Sequence, residues 1–197
     1  MKSFQLKRQI IFSGLIVLFT TYKTQAQSLE SNQGSHRFKT SGGLVGYGKS
    51  INTDTRYEPI YFSGDFSWSF NKIPRKRVFV AWYFEPQFNL VLTPRPVDIE
   101  FGANLGIRNY IKANDGLYFY QMLGSGPHYI SAEVKRQANG FIFSDNLAIG
   151  AYTRVNKKGL FLNLQFRIRH LSNAELKQPN GGINMWNVLI GLSRIRW

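Results

Sequence analysis

The stretch LFLNLQFRIRHLS, residues Leu160–Ser172, alternates between apolar and polar side chains. Leucine, phenylalanine or isoleucine occupies every even position from Leu160 to Ile168, and the odd positions after Phe161 are polar up to Arg169. Successive side chains of a β-strand point to opposite faces. The stretch therefore predicts a strand with one apolar and one polar face. Continuing the alternation places His170 and Ser172 together on the apolar face.

Seven further segments share this strand-like character, being rich in aromatic and β-branched residues and separated by turn residues. The eight predicted strands lie near Arg37–Lys49, Glu58–Phe70, Val78–Leu92, Ile99–Ile111, Leu117–Gly126, Gly140–Val155, Gly159–His170 and Met185–Trp197. Asn114-Asp115-Gly116 is typical of a hairpin turn, and no long amphipathic helix pattern competes with the strands. The sequence predicts an all-β fold whose eight antiparallel strands close into a barrel.

Alternation alone does not say which face of the barrel points inward. A lipocalin-like soluble barrel is apolar inside, whereas an outer-membrane barrel is apolar outside and carries aromatic girdles. Three features favour the membrane: the terminal Trp197, which resembles an outer-membrane insertion signal; the content of 4 Trp, 10 Tyr and 16 Phe; and the length of Val78–Leu92. We predict one eight-stranded antiparallel outer-membrane β-barrel over residues 27–197, with a soluble lipid-carrying barrel as the alternative.

The first 26 residues resemble an export signal that is cleaved before Gln27. Lys2, Lys7 and Arg8 supply the positive start, Ile10–Phe19 is an apolar run, and Thr24–Ala26 places small residues before the cleavage site. The apolar run is too short to span a bilayer as a helix. We therefore expect an exported protein of the Gram-negative cell outer membrane.

The chain is strongly basic, with a net charge of +14, and the first 26 residues contribute four of its basic side chains and no acid. A basic protein favours an anionic partner. Nucleic acid is disfavoured, because the chain is exported and its bases are scattered. The absence of cysteine excludes disulfides and thiolate metal sites, and His36 and His128 lack ligand-spaced partners. No metal or cofactor is expected.

The lengths of the connections predict how the barrel is oriented. In outer-membrane barrels the short turns face the periplasm and the longer loops face outward. The predicted periplasmic connections are Asn71–Arg77, Lys112–Gly116 and Asn156–Gly159, and the longest outward loops are His128–Asn139 and Leu171–Asn184. His170 and Ser172 would then lie beside the outer leaflet, which carries lipopolysaccharide in Gram-negative cells. Four bases on outward loops are candidates to meet its phosphates: Arg95, Lys135, Arg136 and Lys177.

A histidine and a serine on one apolar face suit an esterase that acts on a lipid. Serine becomes a useful nucleophile when a neighbouring base takes its proton, and neutral histidine is such a base near pH 7. Acyl transfer also needs donors for the developing oxyanion. Asn173, Asn180 and Gly181 follow closely and are candidate donors. Taken alone, a His-x-Ser pair is weak evidence, because most such pairs are ordinary strand-end residues.

The residues His170–Ala174, Lys177–Ile183 and Gly191–Ser193 together resemble the signature of the lipid A 3-O-deacylase (PagL-type) family. The resemblance implies an outer-membrane barrel that removes the 3-O-linked acyl chain of lipid A by ester hydrolysis without a cofactor. It also implies His170 as the base and Ser172 as the nucleophile. The expected partner is lipid A or lipopolysaccharide in the membrane; a homodimer stays open.

One position departs from the family pattern, because Asn184 stands where the family has the glutamate that orients the histidine. An amide oxygen can accept the imidazole N–H but cannot stabilise imidazolium as a carboxylate does. Three interpretations stay open: a slower esterase, an acid supplied from elsewhere with Glu175 nearest in sequence, or an inactive barrel with a structural or surface-binding role. We expect an active or weakly active carboxylic ester hydrolase.

Glu85 and Glu100 lie within predicted strands. We expect them to point into a polar lumen and to pair there with Arg108 or Arg167 rather than to take part in chemistry.

Overall fold

The computed structural model describes residues 37–70, 77–94 and 97–196, which form eight antiparallel strands closed into a barrel. The strands are β1 (Lys39–Ser50), β2 (Glu58–Ser69), β3 (Val78–Leu92), β4 (Asp98–Asn114), β5 (Leu117–Ile130), β6 (Gly140–Arg154), β7 (Leu160–Ser172) and β8 (Ile183–Arg196). Each strand pairs with its neighbour in sequence, and β1 pairs with β8 to close the sheet. The all-β barrel prediction is confirmed. The predicted export signal and Trp197 lie outside the described residues.

The polar side chains of the alternating pattern face the lumen, and the apolar ones face outward. Arg167 and Arg169 are fully buried inside the barrel, whereas Leu164 and Phe166 on the same strand keep 48% and 44% of their surface exposed. A soluble barrel that carried a lipid would have the opposite arrangement. The outward apolar face is the one that an outer-membrane barrel presents to lipid.

Ionic hydrogen-bonded groups fill the lumen at three levels. Arg108 pairs with Asp65 at 2.8 Å, and Arg167 pairs with Glu85 at 2.7 Å. Arg169 pairs with Glu100. The predicted lumen position of Glu85 and its pairing with Arg167 are therefore confirmed. The predicted partner of Glu100 is wrong: Glu100 pairs with Arg169. Arg108 lies eight residues further along β4, about 26 Å away along the strand, and Arg167 is paired with Glu85.

Hydrophobic clusters close both ends of this polar lumen. Rings of Phe38, Phe79 and Tyr110 pack together at the end where the chain enters β1, with centroids 4.7 to 5.1 Å apart. Val91, Ile130 and other buried apolar residues fill the opposite end. Within the described residues, no helix is long and apolar enough to cross a membrane.

Aromatic pairs sit on the outer wall near both rims. Phe101 and Tyr129 stack with ring centroids 5.4 Å apart near one rim, and Phe70 and Trp82 pack at 4.8 Å near the other. Aromatic rings at these two levels match the girdles that mark the membrane interfaces of such barrels.

Candidate active site

The strand register brings four polar side chains into one row across the outer wall of β5 to β8. Ser125 lies directly opposite Asp145, Asp145 opposite His170, and His170 opposite Asn184. The Ser125 hydroxyl donates to Asp145 Oδ1 at 2.6 Å, and His170 Nδ1 lies 2.7 Å from Asn184 Oδ1. We call Ser125, Asp145, His170 and Asn184 the polar row.

His170 occupies the outward position that the alternation predicts. Its neighbours Arg169 and Leu171 are fully buried in the lumen, whereas the His170 ring is partly exposed on the outer wall. An amide oxygen can only accept a hydrogen bond, so with Asn184 Oδ1 as partner the Nδ1 atom carries the ring proton. The Nε2 atom then keeps its lone pair, which is the state that a general base needs.

Ser172 is the last residue of β7, and its side chain shares the outward face with His170. Cα atoms of same-face neighbours on a strand lie about 7 Å apart. Among the described residues, no hydrogen bond joins the Ser172 hydroxyl to the His170 ring. Transfer of a proton between Oγ and Nε2 therefore requires the two side chains to turn toward each other.

The loop after β7 engages two of the three candidate oxyanion donors. The Asn173 N–H donates to Asn180 Oδ1 at 3.0 Å, and the Gly181 N–H donates to the Arg136 carbonyl oxygen at 2.6 Å. Asn180 therefore presents its oxygen to the loop and keeps its Nδ2 group for another acceptor. The Gly182 N–H makes no hydrogen bond to another described residue. Asn180 Nδ2 and the Gly182 N–H are therefore the donors without a partner among the described residues, whereas the backbone N–H groups of Asn173 and Gly181 already donate within the loops.

Gly182 packs against the edge of the His170 ring, a contact that sequence reasoning missed. Its φ of +68° lies in the left-handed region, and a Cβ built on it would meet His170 Cε1 at 2.6 Å. A residue with a side chain at this position would both strain the backbone and displace the ring. The Gly181-Gly182 pair in the sequence was the available signal.

Arg136 and Lys177, two bases predicted to meet lipid phosphates, donate hydrogen bonds that join the loops at this rim, and their contact with phosphates stays a prediction. Arg136 Nη2 and Nε donate to the carbonyl oxygens of Gly181 and Gly182 at 3.0 and 3.1 Å. Lys177 Nζ donates to Asn139 Oδ1 at 2.5 Å. These contacts fix the loop that carries Gly182 beside the His170 ring.

Lys135 and Arg95 complete the set of predicted phosphate contacts. Lys135 is mostly exposed, and its ammonium lies 3.9 Å from the Asp54 carboxylate. It stays a candidate for the phosphates. Arg95 lies outside the described residues.

Asp145 is the acid that the register places beside His170. Glu175, the acid nearest in sequence, is exposed in the loop with a φ of +68°. Asp145 projects from the outward face of β6 between the apolar Phe143 and Leu147, which are 37% and 41% exposed. An ionisable side chain that faces lipid is costly and marks a functional position. The signal in the sequence was an acid on the apolar face of the sixth predicted strand.

In the part of the chain that the structure describes, no group of three or more His, Cys, Asp or Glu side chains could hold a metal ion. His128, one of the two histidines set aside above, points into the lumen, where its Nδ1 lies 2.8 Å from Glu100 Oε1.

Comparison with known proteins identifies one family and several barrels of the same fold. A family profile described as lipid A 3-O-deacylase (PagL) matches residues 20–193. The crystal structure of the outer membrane enzyme PagL is 18% identical, with a TM-score of 0.54 over 77% of this chain and 97% of that one. No curated protein matches the chain.

Two other barrels are similar in fold. Ail, the attachment invasion locus protein of Yersinia pestis, is 10% identical, with a TM-score of 0.50 over 83% of this chain and 100% of that one. Neisserial surface protein A is 9% identical, with a TM-score of 0.50 over 82% and 99% of the two chains.

Proposed function

Because this chain belongs to the lipid A 3-O-deacylase (PagL) family, we propose that it is an outer-membrane serine esterase that hydrolyses the 3-O-linked acyl chain of lipid A. The observation that carries the proposal is the hydrogen bond of 2.7 Å between His170 Nδ1 and Asn184 Oδ1 on the lipid-facing wall. It holds a histidine in the tautomer of a base on a surface that meets acyl chains.

The surroundings of the polar row suit a lipid substrate. Phe141 and Phe143 project outward next to Asp145 on β6, and their rings pack edge to face with centroids 5.0 Å apart. An acyl chain that lies along this wall buries apolar surface against these rings. The ester group at the head of that chain would then reach the end of β7, where Ser172 lies.

Two acyl transfers convert the ester into a free fatty acid. Ser172 Oγ attacks the ester carbonyl carbon while its proton passes to His170 Nε2. The tetrahedral intermediate collapses, the sugar oxygen leaves with that proton, and the acyl group stays on Ser172. A water molecule then attacks the acyl-enzyme with His170 again as base, which releases the fatty acid and restores the serine.

In this proposal, Asn184 and Asp145 together take the role that the glutamate has in the family. Asn184 fixes the ring orientation and tautomer through its amide oxygen. Asp145, directly opposite His170 on β6, supplies negative charge near the imidazolium that forms when Ser172 is deprotonated. Side chains directly opposite in an antiparallel pair have Cβ atoms about 5 Å apart, which is close enough for a charge to act in a lipid environment.

Lipid A analysis by mass spectrometry tests the proposal. Cells that express the wild type are expected to lose one ester-linked acyl chain from lipid A, and cells that express Ser172→Ala are expected to keep it. Thr153→Ala is the matched control, because Thr153 is an outward hydroxyl on β6 at the other end of the barrel, and it should act like the wild type.

An identical acyl pattern in wild-type and Ser172→Ala cells would overturn the esterase proposal. It would favour the second candidate, a barrel with a structural or surface-binding role. Loss of an acyl chain from a position other than 3-O would keep the hydrolase and overturn its regiospecificity.

A further inference from the structure

A basic groove lies on the outer wall of β8, β1, β2 and β3, at the end of the barrel away from His170. Its volume is about 650 Å³. Aromatic rings of Phe66, Trp68 and Phe84 line it together with small hydroxyl side chains such as Ser41. Its four cationic residues are Arg37, Lys39, Arg194 and Arg196. We call this feature the basic groove.

The basic groove sits at the opposite membrane interface from the polar row. Asn184 and Arg194 lie on the outward face of β8, ten residues apart. This separation is about 33 Å along the strand, or about 25 Å along the axis of a barrel whose strands tilt by about 40°. A height of about 25 Å is that of the apolar band of an outer-membrane barrel.

The cations of the basic groove are crowded together without acids. Lys39 lies directly opposite Arg196, and Ser41 lies directly opposite Arg194 on the same pair of strands. Like charges directly opposite each other destabilise a sheet. Among the described residues, no carboxylate forms a salt bridge with any of the four cations. A bound anion would remove the repulsion.

A second groove on the barrel wall provides a contrast. It has a volume of about 630 Å³ and is lined by Phe119, Phe166, Val188 and other residues, none of them charged. Such a surface accommodates acyl chains of any lipid. The basic groove has the same number of aromatic residues, but it also carries a cluster of positive charge. It can therefore discriminate between lipid head groups of different charge.

We propose that the basic groove binds one anionic glycerophospholipid, such as phosphatidylglycerol, of the periplasmic leaflet. Lys39, Arg194 and Arg196 would contact the phosphodiester, and an acyl chain would pack between Phe66 and Phe84. The choice of leaflet rests on the proposed function, which places His170 beside the outer leaflet and the basic groove on the other side.

Native mass spectrometry of the folded, detergent-solubilised chain tests this proposal. Phosphatidylglycerol is added in one arm, and phosphatidylcholine with the same acyl chains in the other. We expect the wild type to retain phosphatidylglycerol selectively. Arg194→Ser combined with Arg196→Ser is expected to weaken retention on the order of 30-fold, because each basic residue near an anionic head group raises the affinity by roughly fivefold.

Lys112→Ser combined with Arg154→Ser is the matched control. These substitutions remove the same charge at the same rim, from β4 and β6 on either side of β5, and β5 lies four strands away from β1. Phosphatidylglycerol retention should survive this change. Equal loss in both double variants, or equal retention of the two lipids, would overturn the proposal. Tighter binding of lipopolysaccharide than of phosphatidylglycerol would also overturn it, because the groove would then face the other leaflet.

Fluorescence quenching keeps the test independent of the folding of the arginine variants. Phosphatidylglycerol with brominated acyl chains should quench the tryptophan fluorescence of the wild type. The part of this quenching that is absent in Trp68→Phe reports contact of the lipid with the basic groove. No difference between the two proteins would contradict the proposal. Ester hydrolysis in detergent should be unchanged in both double variants, which separates this inference from the deacylase proposal.

Discussion

At the scale of single residues, His170 lies between two side chains of different charge, Asp145 on β6 and Asn184 on β8. If Asp145 supplies the negative charge, Asp145→Asn should lower kcat by about tenfold or more, because the imidazolium loses its counter-charge. Asn184→Glu should then restore activity in the Asp145→Asn background and preserve or raise it in the wild type. Kinetic assays on lipid A in detergent measure both effects.

Total loss of activity in Asn184→Glu would show that Asn184 has a role other than orienting the His170 ring. Unchanged activity in Asp145→Asn would show that Asp145 does not act on His170. Ser125→Ala is a useful comparison, since it removes the hydroxyl that donates to Asp145 and leaves the carboxylate in place.

The contact between Gly182 and the His170 ring gives a second prediction at this scale. Gly182→Ala should lower kcat by about tenfold or more, because the new Cβ would displace the ring in addition to straining the backbone by about 1 to 2 kcal/mol. Gly140→Ala is the matched control: Gly140 also has a positive φ, of +109°, but a Cβ there meets nothing within 4 Å. Equal activity losses in both variants would refute the ring contact.

At the scale of the strand, β7 carries two buried charges on its lumen-facing side, Arg167 and Arg169, and each is paired with an acid on another strand. Glu85→Gln should destabilise the barrel by about 3 to 5 kcal/mol, because it leaves the Arg167 guanidinium buried without its counter-charge. Urea unfolding in detergent micelles measures the change. Asp115→Asn, which removes the exposed partner of Lys112 at 2.6 Å, should cost at most about 1 kcal/mol.

Similar losses for Glu85→Gln and Asp115→Asn would mean that water reaches the lumen and screens Arg167. Replacing Arg167 as well, as Arg167→Met with Glu85→Gln, should recover much of the stability, since the double variant removes both members of this ion pair and leaves neither charge unpaired.

At the scale of the whole molecule, the barrel encloses a filled lumen rather than a channel. Hydrophobic clusters cap both ends, and ionic groups occupy the space between them. Reconstitution into a planar bilayer should therefore give no steady ion conductance above that of the bare membrane, in contrast to wide barrels with aqueous channels. Sustained open-channel currents would contradict the packing of the lumen and would require a different role for the buried arginines.

The sequence by itself determined the strands and the face that each residue occupies. The alternation of Leu160–Ser172 is a local property with a period of two residues, so it placed His170 and Ser172 on one face before any tertiary contact was known. The turn at Asn114–Gly116 likewise depends on neighbouring residues alone. The resemblance to one family then supplied the chemistry for that face.

Only the tertiary structure decided which face is inside and which residues meet across strands. The alternation fits either orientation, and closure around three buried arginines selected the outward apolar face. Asp145 and Asn184 are 25 and 14 residues from His170 in sequence, and only the register of β6, β7 and β8 makes them its neighbours. Register is a property of paired strands, since a slip of one residue turns every side chain to the other face, and no single strand contains that information.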